Sequence, residues 1–126
     1  HYVYPGTGFE HERGLGDGEG FTLNLPMLPG AGDDDYRRAF YEHVLPTADD
    51  FKPEFVLISA GFDAHRDDPL APLKLETESF GWMTEEPLAV AKAHAGGRLV
   101  SILEGGYNLD ALGESVALHV TRLVQA

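Results

Sequence analysis

Cysteine is absent from this chain, and basic residues are few. The lack of cysteine excludes disulfide bonds, thiolate metal sites and cysteine nucleophiles, and it fits a reducing compartment, so we predict a cytoplasmic location. Any metal ion would need oxygen or imidazole ligands. Nine basic against 21 acidic residues give a net charge of −12, which repels phosphate backbones. The charge therefore argues against nucleic acid as a direct ligand and remains compatible with cationic substrates.

Long hydrophobic runs are also missing. No apolar run approaches the roughly 18 residues that a membrane span needs, and we expect neither a signal peptide nor membrane association. A length of 126 residues, 43% of them hydrophobic, suits one domain with its own core. The first residue is His1 rather than Met, and we interpret residues 1–126 as a single segment of a longer protein.

One stretch organises the sequence: FVLISAGFDAHRDDPL at residues 55–70. Its first six residues form an apolar run with β-branched side chains, which predicts a strand buried on both faces of a parallel sheet. Gly61 permits a sharp bend after this strand. Asp63 then falls at the carboxyl end of the strand, where open α/β sheets place their ligand sites.

A second apolar run covers residues 99–104, and the motif EGGYNL begins at its last residue. It predicts another strand, followed by a turn through Gly105 and Gly106 that presents Tyr107. Two strand ends therefore carry Asp63 and Tyr107 in matching contexts, which is the main indication of a functional site.

The remaining elements are predicted from turn residues and spacing. FTLNLP at residues 21–26 has the composition of a strand, and the GLGDGEG segment before it is not a dinucleotide-binding turn because it opens no helix. Acidic residues 33–35 favour a capped helix start, and Pro46 predicts the end of that helix. The order β-α-β-α-β-α calls for a parallel sheet with right-handed crossovers.

Two further helical regions are expected downstream. The first begins around Thr77, and Pro87 predicts either two short helices or a kink before Gly96 and Gly97 end it. The last helix begins near Asp110. Its predicted buried stripe consists of Leu112, Val116, Val120 and Leu123.

Three motifs occur in an order that closely resembles the zinc-dependent deacetylases of the histone deacetylase superfamily, especially its class II and bacterial amidohydrolase branch. These motifs are YPGTG at residues 4–8, SAGFDAH at 59–65 and LEGGYNL at 103–109. The resemblance covers nearly the whole chain. It implies an α/β fold with a parallel sheet flanked by helices, as the C-terminal part of an arginase-deacetylase-type domain.

The resemblance also implies roles for two residues. Asp63 takes the place of a zinc ligand, and Tyr107 takes the place of the tyrosine that polarises the acetyl carbonyl. A zinc hydrolase needs about three protein ligands and an open position for water. The metal would activate that water, and the tyrosine would donate a hydrogen bond to the developing oxyanion.

The family's narrow acyl channel implies four more positions. Tyr4 takes the place of the aromatic residue on one wall, and Leu70 would line the channel opposite it. Gly105 and Gly106 would keep the floor free of side chains, so that a slim acyl chain can approach.

His65 is the competing candidate for the metal, because Asp63 and His65 have the D-x-H form and alternate residues of an extended segment share one face. The family's own D-x-H pair lies upstream of the YPGTG block, so we favour an outward-facing or loop-packed His65. Two further zinc ligands, a tandem histidine pair and most of a monovalent cation site also lie upstream in the family. No two adjacent histidines occur in this sequence, and the segment alone is expected to be inactive.

These observations predict the C-terminal segment of a zinc-dependent amidohydrolase that acts on an acetylated amine, such as acetyl-lysine or an acetylpolyamine. The alternative is a noncatalytic truncated remnant or oligomerising module that keeps the fold elements. Because strands encoded upstream are missing, exposed apolar edges would invite pairing with another chain. We therefore predict a homo-oligomer or association with the missing N-terminal portion.

Overall fold

The computed structural model describes residues 5–126, so Tyr4 lies outside the described part. Its elements alternate between helices and parallel strands, which confirms the predicted α/β class. In chain order they are a 3-10 turn (Gly16–Gly18), α1 (Asp33–Ala39), a π-helical turn (Phe40–Val44), α2 (Leu45–Phe51), β1 (Val56–Ala60), α3 (Ser79–His94), β2 (Leu99–Leu103) and α4 (Leu109–Val124).

Strands β1 and β2 pair in parallel, with Val56 opposite Leu99 and Ala60 opposite Leu103. Helix α3 connects them, as a parallel pair requires, and it packs against both β1 and α4. The core cluster beside the strands consists of Ala60, Phe62, Leu75 and Phe80. It lies next to the carboxyl ends of the strands and supports the loop that follows β1.

The sheet is covered on one face only within residues 5–126. Ile58 faces the core, whereas Leu57 is 69% exposed and Ile102 is 55% exposed. The prediction of a strand buried on both faces was therefore wrong for the described chain. Helices α3 and α4 lie on the covered side, and no described element packs on the other.

The predicted strand at residues 21–26 does not form in the described chain. A strand needs a neighbour to accept and donate its backbone hydrogen bonds, and no described segment pairs with this one. Phe21 instead meets the ring of Phe51 edge-on, with 6.2 Å between centroids. The prediction from composition was wrong because sheet pairing decides whether such a segment becomes a strand.

Pro46 does not end the first helical region, which continues to the end of α2. In the π-helical turn before it, the Leu45 N–H donates to the Phe40 carbonyl, one residue further back than in an α-helix. Pro46 then falls in the first turn of α2, where a missing N–H is tolerated. The chain turns out through Lys52, whose φ of 53° is left-handed.

Pro87 does not divide α3 into two helices either. A proline inside a helix costs about 3 kcal/mol, whereas each fully buried large apolar side chain contributes about 1.5–3 kcal/mol. Phe80, Trp82 and Val90 are all buried on α3. Packing of these side chains therefore outweighs the proline.

The predicted stripe of α4 is correct in part, because Leu112 and Val116 are partly buried and pack against the core cluster. Val120 is 47% exposed, and the buried positions are Ala111, Ser115 and His119. A pattern of apolar residues missed this face because two of its three members are polar. His119 reaches Thr84 Oγ1 at 2.7 Å and Ser101 Oγ at 2.8 Å, so its ring joins α3 to β2.

The acidic residues at the start of α1 cap it, as predicted. The Asp35 carboxylate accepts the Gly32 N–H at 3.0 Å. Asp33 accepts hydrogen bonds from Ser79 Oγ and Trp82 Nε1, each at 2.7 Å. The cap therefore also fastens α1 to α3.

Candidate functional site

The carboxyl ends of β1 and β2 are held together beyond the strands themselves. The Glu104 N–H donates to the Ala60 carbonyl at 2.9 Å, and the Phe62 N–H donates to the Gly105 carbonyl at 2.8 Å. Because the Phe62 side chain is buried in the core, its packing fixes the bend after β1. Asp63 and the Gly-Gly-Tyr turn therefore emerge side by side.

Asp63 and Tyr107 converge on Gly105. A Cβ atom placed on Gly105 would lie 2.8 Å from Asp63 Oδ2 and 3.3 Å from Tyr107 Oη. No side chain fits between these two polar atoms without moving one of them. The structure thus brings the two predicted site residues together around a glycine whose lack of a side chain is required.

Gly106 is a glycine for a different reason. Its φ is +139°, and a Cβ atom there would lie 2.7 Å from Leu112 Cδ1. The constraint comes from the backbone conformation and from helix α4, so Gly106 shapes the turn behind the site.

The Asp63 carboxylate is half-buried and makes no hydrogen bond or ion pair within residues 5–126. Its negative charge acts on Tyr36, a residue of α1. Burial, with the charge of Asp63 as a second cause, raises the pKa of Tyr36 to about 12. A protonated phenol therefore stands near the carboxylate at neutral pH, and only the fold brings it there.

Asp68 was not predicted as a site residue, yet it connects the two strand ends. Its Oδ1 accepts the Tyr107 N–H at 2.9 Å, and its Oδ2 accepts the N–H groups of Leu70 at 2.9 Å and Ala71 at 3.1 Å. Partial burial tends to raise the pKa of Asp68, but these backbone hydrogen bonds hold it below its usual value. The available signal was an Asp directly before a Pro, a composition typical of turns.

The predicted channel residue Leu70 is joined to Tyr107 through the Asp68 carboxylate. Leu70 is exposed, and Tyr107 is 53% exposed. The backbone N–H groups of both residues donate hydrogen bonds to the Asp68 carboxylate. Tyr4 lies outside the described residues, so its position opposite Leu70 stays a prediction.

His65 is 5% exposed and packed within its loop, so the outward-facing alternative was wrong. Its Nδ1 accepts the Asp67 N–H at 3.1 Å, and its Nε2 lies 3.0 Å from Thr77 Oγ1. An accepting Nδ1 leaves the ring proton on Nε2, which donates to Thr77. Both nitrogens are therefore occupied in holding the loop, and neither is available to a metal.

The residues around Asp63 do not complete a zinc site by themselves. Within residues 5–126, no group of three or more His, Asp or Glu side chains is arranged to hold a metal ion. A zinc hydrolase uses about three protein ligands, and Asp63 alone could supply only one of them. None of the helices in this part of the chain has the length and apolarity needed to cross a membrane.

The fold and the paired strand ends define an α/β protein of the deacetylase type, and comparison with known proteins establishes the family. The histone deacetylase domain matches residues 1–123. This chain therefore belongs to the histone deacetylase family.

Individual relatives agree with this assignment. "Histone deacetylase 10, chloroplastic" of Oryza sativa is 52% identical over 114 residues, which are 90% of this chain and 26% of the relative. "Polyamine deacetylase HDAC10" of Homo sapiens is 44% identical over 112 residues, 88% of this chain and 16% of the relative.

A solved deacetylase domain has the same arrangement of elements. The crystal structure of the HDA15 HD domain superposes with a TM-score of 0.89 at 42% identity, and the match covers 97% of this chain and 34% of that one. The chain thus spans about a quarter of the length of the rice protein and about a third of the HDA15 domain.

Proposed function

We propose that this chain is the C-terminal segment of a zinc-dependent deacetylase that hydrolyses the amide bond of an acetylated amine. The observation that carries the proposal is the convergence of the Asp63 carboxylate and the Tyr107 hydroxyl on Gly105. Both groups lack other side-chain hydrogen bonds in the described chain, so both are free to act on a ligand. A polar group that the fold does not use is the expected property of a functional residue.

Asp63 would contribute one ligand, and the remaining ligands and the general base would come from outside residues 5–126. When bound, the zinc ion would polarise the acetyl carbonyl and lower the pKa of the attacking water. Tyr107 would donate its phenolic proton in a hydrogen bond to the carbonyl oxygen as negative charge develops there. A monovalent cation elsewhere in the full-length protein is a further prediction from the family.

The substrate class is an acetylated amine, with acetyl-lysine and acetylpolyamines as the two candidates. One relative is named a polyamine deacetylase, and others are named histone deacetylases. The net charge of −12 suits a substrate that carries additional cationic groups in either case. A cytoplasmic location stays a prediction from the cysteine-free composition.

The second candidate is a noncatalytic module that works by association. It is favoured by the incomplete ligand set and by the uncovered sheet face, which exposes Leu57, Val100 and Ile102. An apolar sheet face of this kind needs cover, either from the rest of a deacetylase domain or from a second copy of the chain. We prefer the enzyme for the longer protein and the inactive state for this segment alone.

The test is zinc affinity in the longest natural form of the protein that contains this chain. We expect Asp63→Ala to weaken zinc binding at least tenfold, because it removes a charged ligand. Asp67→Ala is the matched control, since Asp67 lies in the same loop with its side chain 64% exposed. Equal zinc affinity in the two variants would show that Asp63 is not a ligand.

A further inference from the structure

We propose that Asp68 is a positioning residue for the reaction. It sets the backbone of Tyr107 and of the Leu70 turn relative to Asp63. This inference rests on the proposed function, because it assigns to Asp68 the task of placing the hydrogen-bond donor and one channel wall.

The two carboxylate oxygens of Asp68 bond different segments of the backbone. One oxygen accepts the Tyr107 N–H, and the other accepts the N–H groups of Leu70 and Ala71. Hydrogen bonds to an ionised carboxylate are stronger than those between neutral groups. A single side chain thus ties two separate backbone segments, both of which carry predicted site residues.

Apart from Asp68, little in the described chain holds Tyr107 in place. Its side chain is half exposed, and its hydroxyl has no partner within residues 5–126. Gly105 and Gly106 precede it, and glycines leave the backbone more freedom than any other residue. Asn108, the next residue, caps α4 and donates to the Asp67 carbonyl at 3.1 Å. The Asp68 carboxylate is therefore the direct anchor of the Tyr107 amide.

Asp68 is itself held firmly relative to Asp63. Between them, the buried ring of His65 bonds Thr77 and the Asp67 amide. The Leu75 N–H also donates to the Ala64 carbonyl at 3.0 Å. Because this loop is rigid, the Asp68 carboxylate can fix the position of the Tyr107 backbone relative to Asp63.

The test compares Asp68→Ala with Asp67→Ala in the longest natural form of the protein. Asp67 is a suitable control because its carbonyl, which bonds Asn108, survives the substitution. In Asp68→Ala we expect amide hydrogen exchange at Tyr107 to accelerate by at least about tenfold, with β1 and β2 amides unchanged. Asp67→Ala should leave exchange at Tyr107 unaltered.

Kinetics then test the consequence for the reaction. Asp68→Ala should lower kcat by about 10- to 100-fold with little change in KM, because a misplaced donor acts mainly in the transition state. In a Tyr107→Phe background the same substitution should lower kcat by less than about threefold, because the two residues act as one unit. A purely structural role would give equal losses in both backgrounds.

Two outcomes overturn the inference. One is equal Tyr107 exchange in the Asp68→Ala and Asp67→Ala proteins, and the other is additive losses of kcat in the double variant. If Asp68→Ala does not fold, Asp68→Asn replaces it. Its single acceptor oxygen cannot serve all three amides, so exchange unchanged at Tyr107, Leu70 and Ala71 takes the place of the first outcome. An unsubstituted protein that hydrolyses no acetylated amine instead refutes the proposed function, and the exchange result distinguishes the two failures.

Discussion

Two polar clusters in this molecule differ in what they do with their hydrogen bonds. Around His119, both ring nitrogens have partners, in Thr84 and Ser101, and the ring is buried between helix and strand. Around Gly105, the Asp63 carboxylate and the Tyr107 hydroxyl approach each other and have no hydrogen-bond partner in the described chain. The hydrogen-bonding groups of the first cluster all stabilise the fold, whereas those of the second are available to a ligand.

The largest effect should come from the open cluster. Tyr107→Phe should lower kcat by about 100- to 1,000-fold in the longest natural form, because it removes a donor to the developing oxyanion. The free energy of unfolding should change by no more than about 0.5 kcal/mol, because the hydroxyl holds nothing in the fold. Steady-state kinetics and denaturant unfolding measure the two quantities.

Tyr41→Phe is the control for this change. Tyr41 is also an exposed tyrosine, and its hydroxyl donates to Glu86 Oε1 at 3.3 Å, away from the site. The kcat of the Tyr41→Phe protein should match that of the unsubstituted protein. A Tyr107→Phe protein that keeps its kcat within threefold would contradict the assignment of Tyr107.

The closed cluster should show the opposite pattern. His119→Ala should cost about 2–3 kcal/mol of stability, because it opens a cavity and leaves Ser101 without its partner. Urea unfolding at constant m-value measures this loss. His94→Ala removes a hydrogen bond between His94 Nε2 and the exposed Asp49 carboxylate and should cost less than about 1 kcal/mol. Equal losses in the two variants would mean that the buried ring is dispensable.

A smaller effect is expected from pH. Burial lowers the pKa of His119 below the ordinary histidine value of 6.5, so just below that pH the folded state holds this ring neutral while the unfolded state binds a proton. Stability from this residue is thus complete above pH 6.5 and falls as pH drops towards the folded pKa, by up to about 1.4 kcal/mol per pH unit. Unfolding measured between pH 7.5 and about 5 follows this slope.

His119→Gln should flatten that slope, since it removes the titrating ring. The carboxylates with lowered pKa, Asp33 and Asp68, act in a separate window, since their stabilisation is lost only as pH falls below their ordinary value of 3.8. An unchanged slope in His119→Gln would assign the pH dependence to another group.

The sequence predicted the open cluster better than the closed one. Two apolar runs followed by glycine turns are sufficient to place Asp63 and Tyr107 at one sheet edge, because the carboxyl ends of parallel strands meet there. His119 was overlooked because apolar periodicity cannot recognise a buried polar ring. Asp68 was overlooked because its role depends on the distant amide of Tyr107, which only the folded chain brings close.

The errors in the fold have a common cause as well. Pro46 and Pro87 were treated as local helix breakers, yet a π-helical turn accommodates the first and packing of α3 outweighs the second. The segment at residues 21–26 has strand composition but no partner in the described chain. In each case a tertiary or pairing interaction, absent from the local sequence, decided the structure.

The most direct test of the central claim is zinc titration of the 126-residue chain beside the longest natural form that contains it. If Asp63 is one ligand of a larger set, the longer protein should bind about one zinc ion tightly and the chain alone should bind it at least 100-fold more weakly. Tight binding of one zinc ion by the chain alone would contradict this account, because residues 1–126 would then hold a complete site.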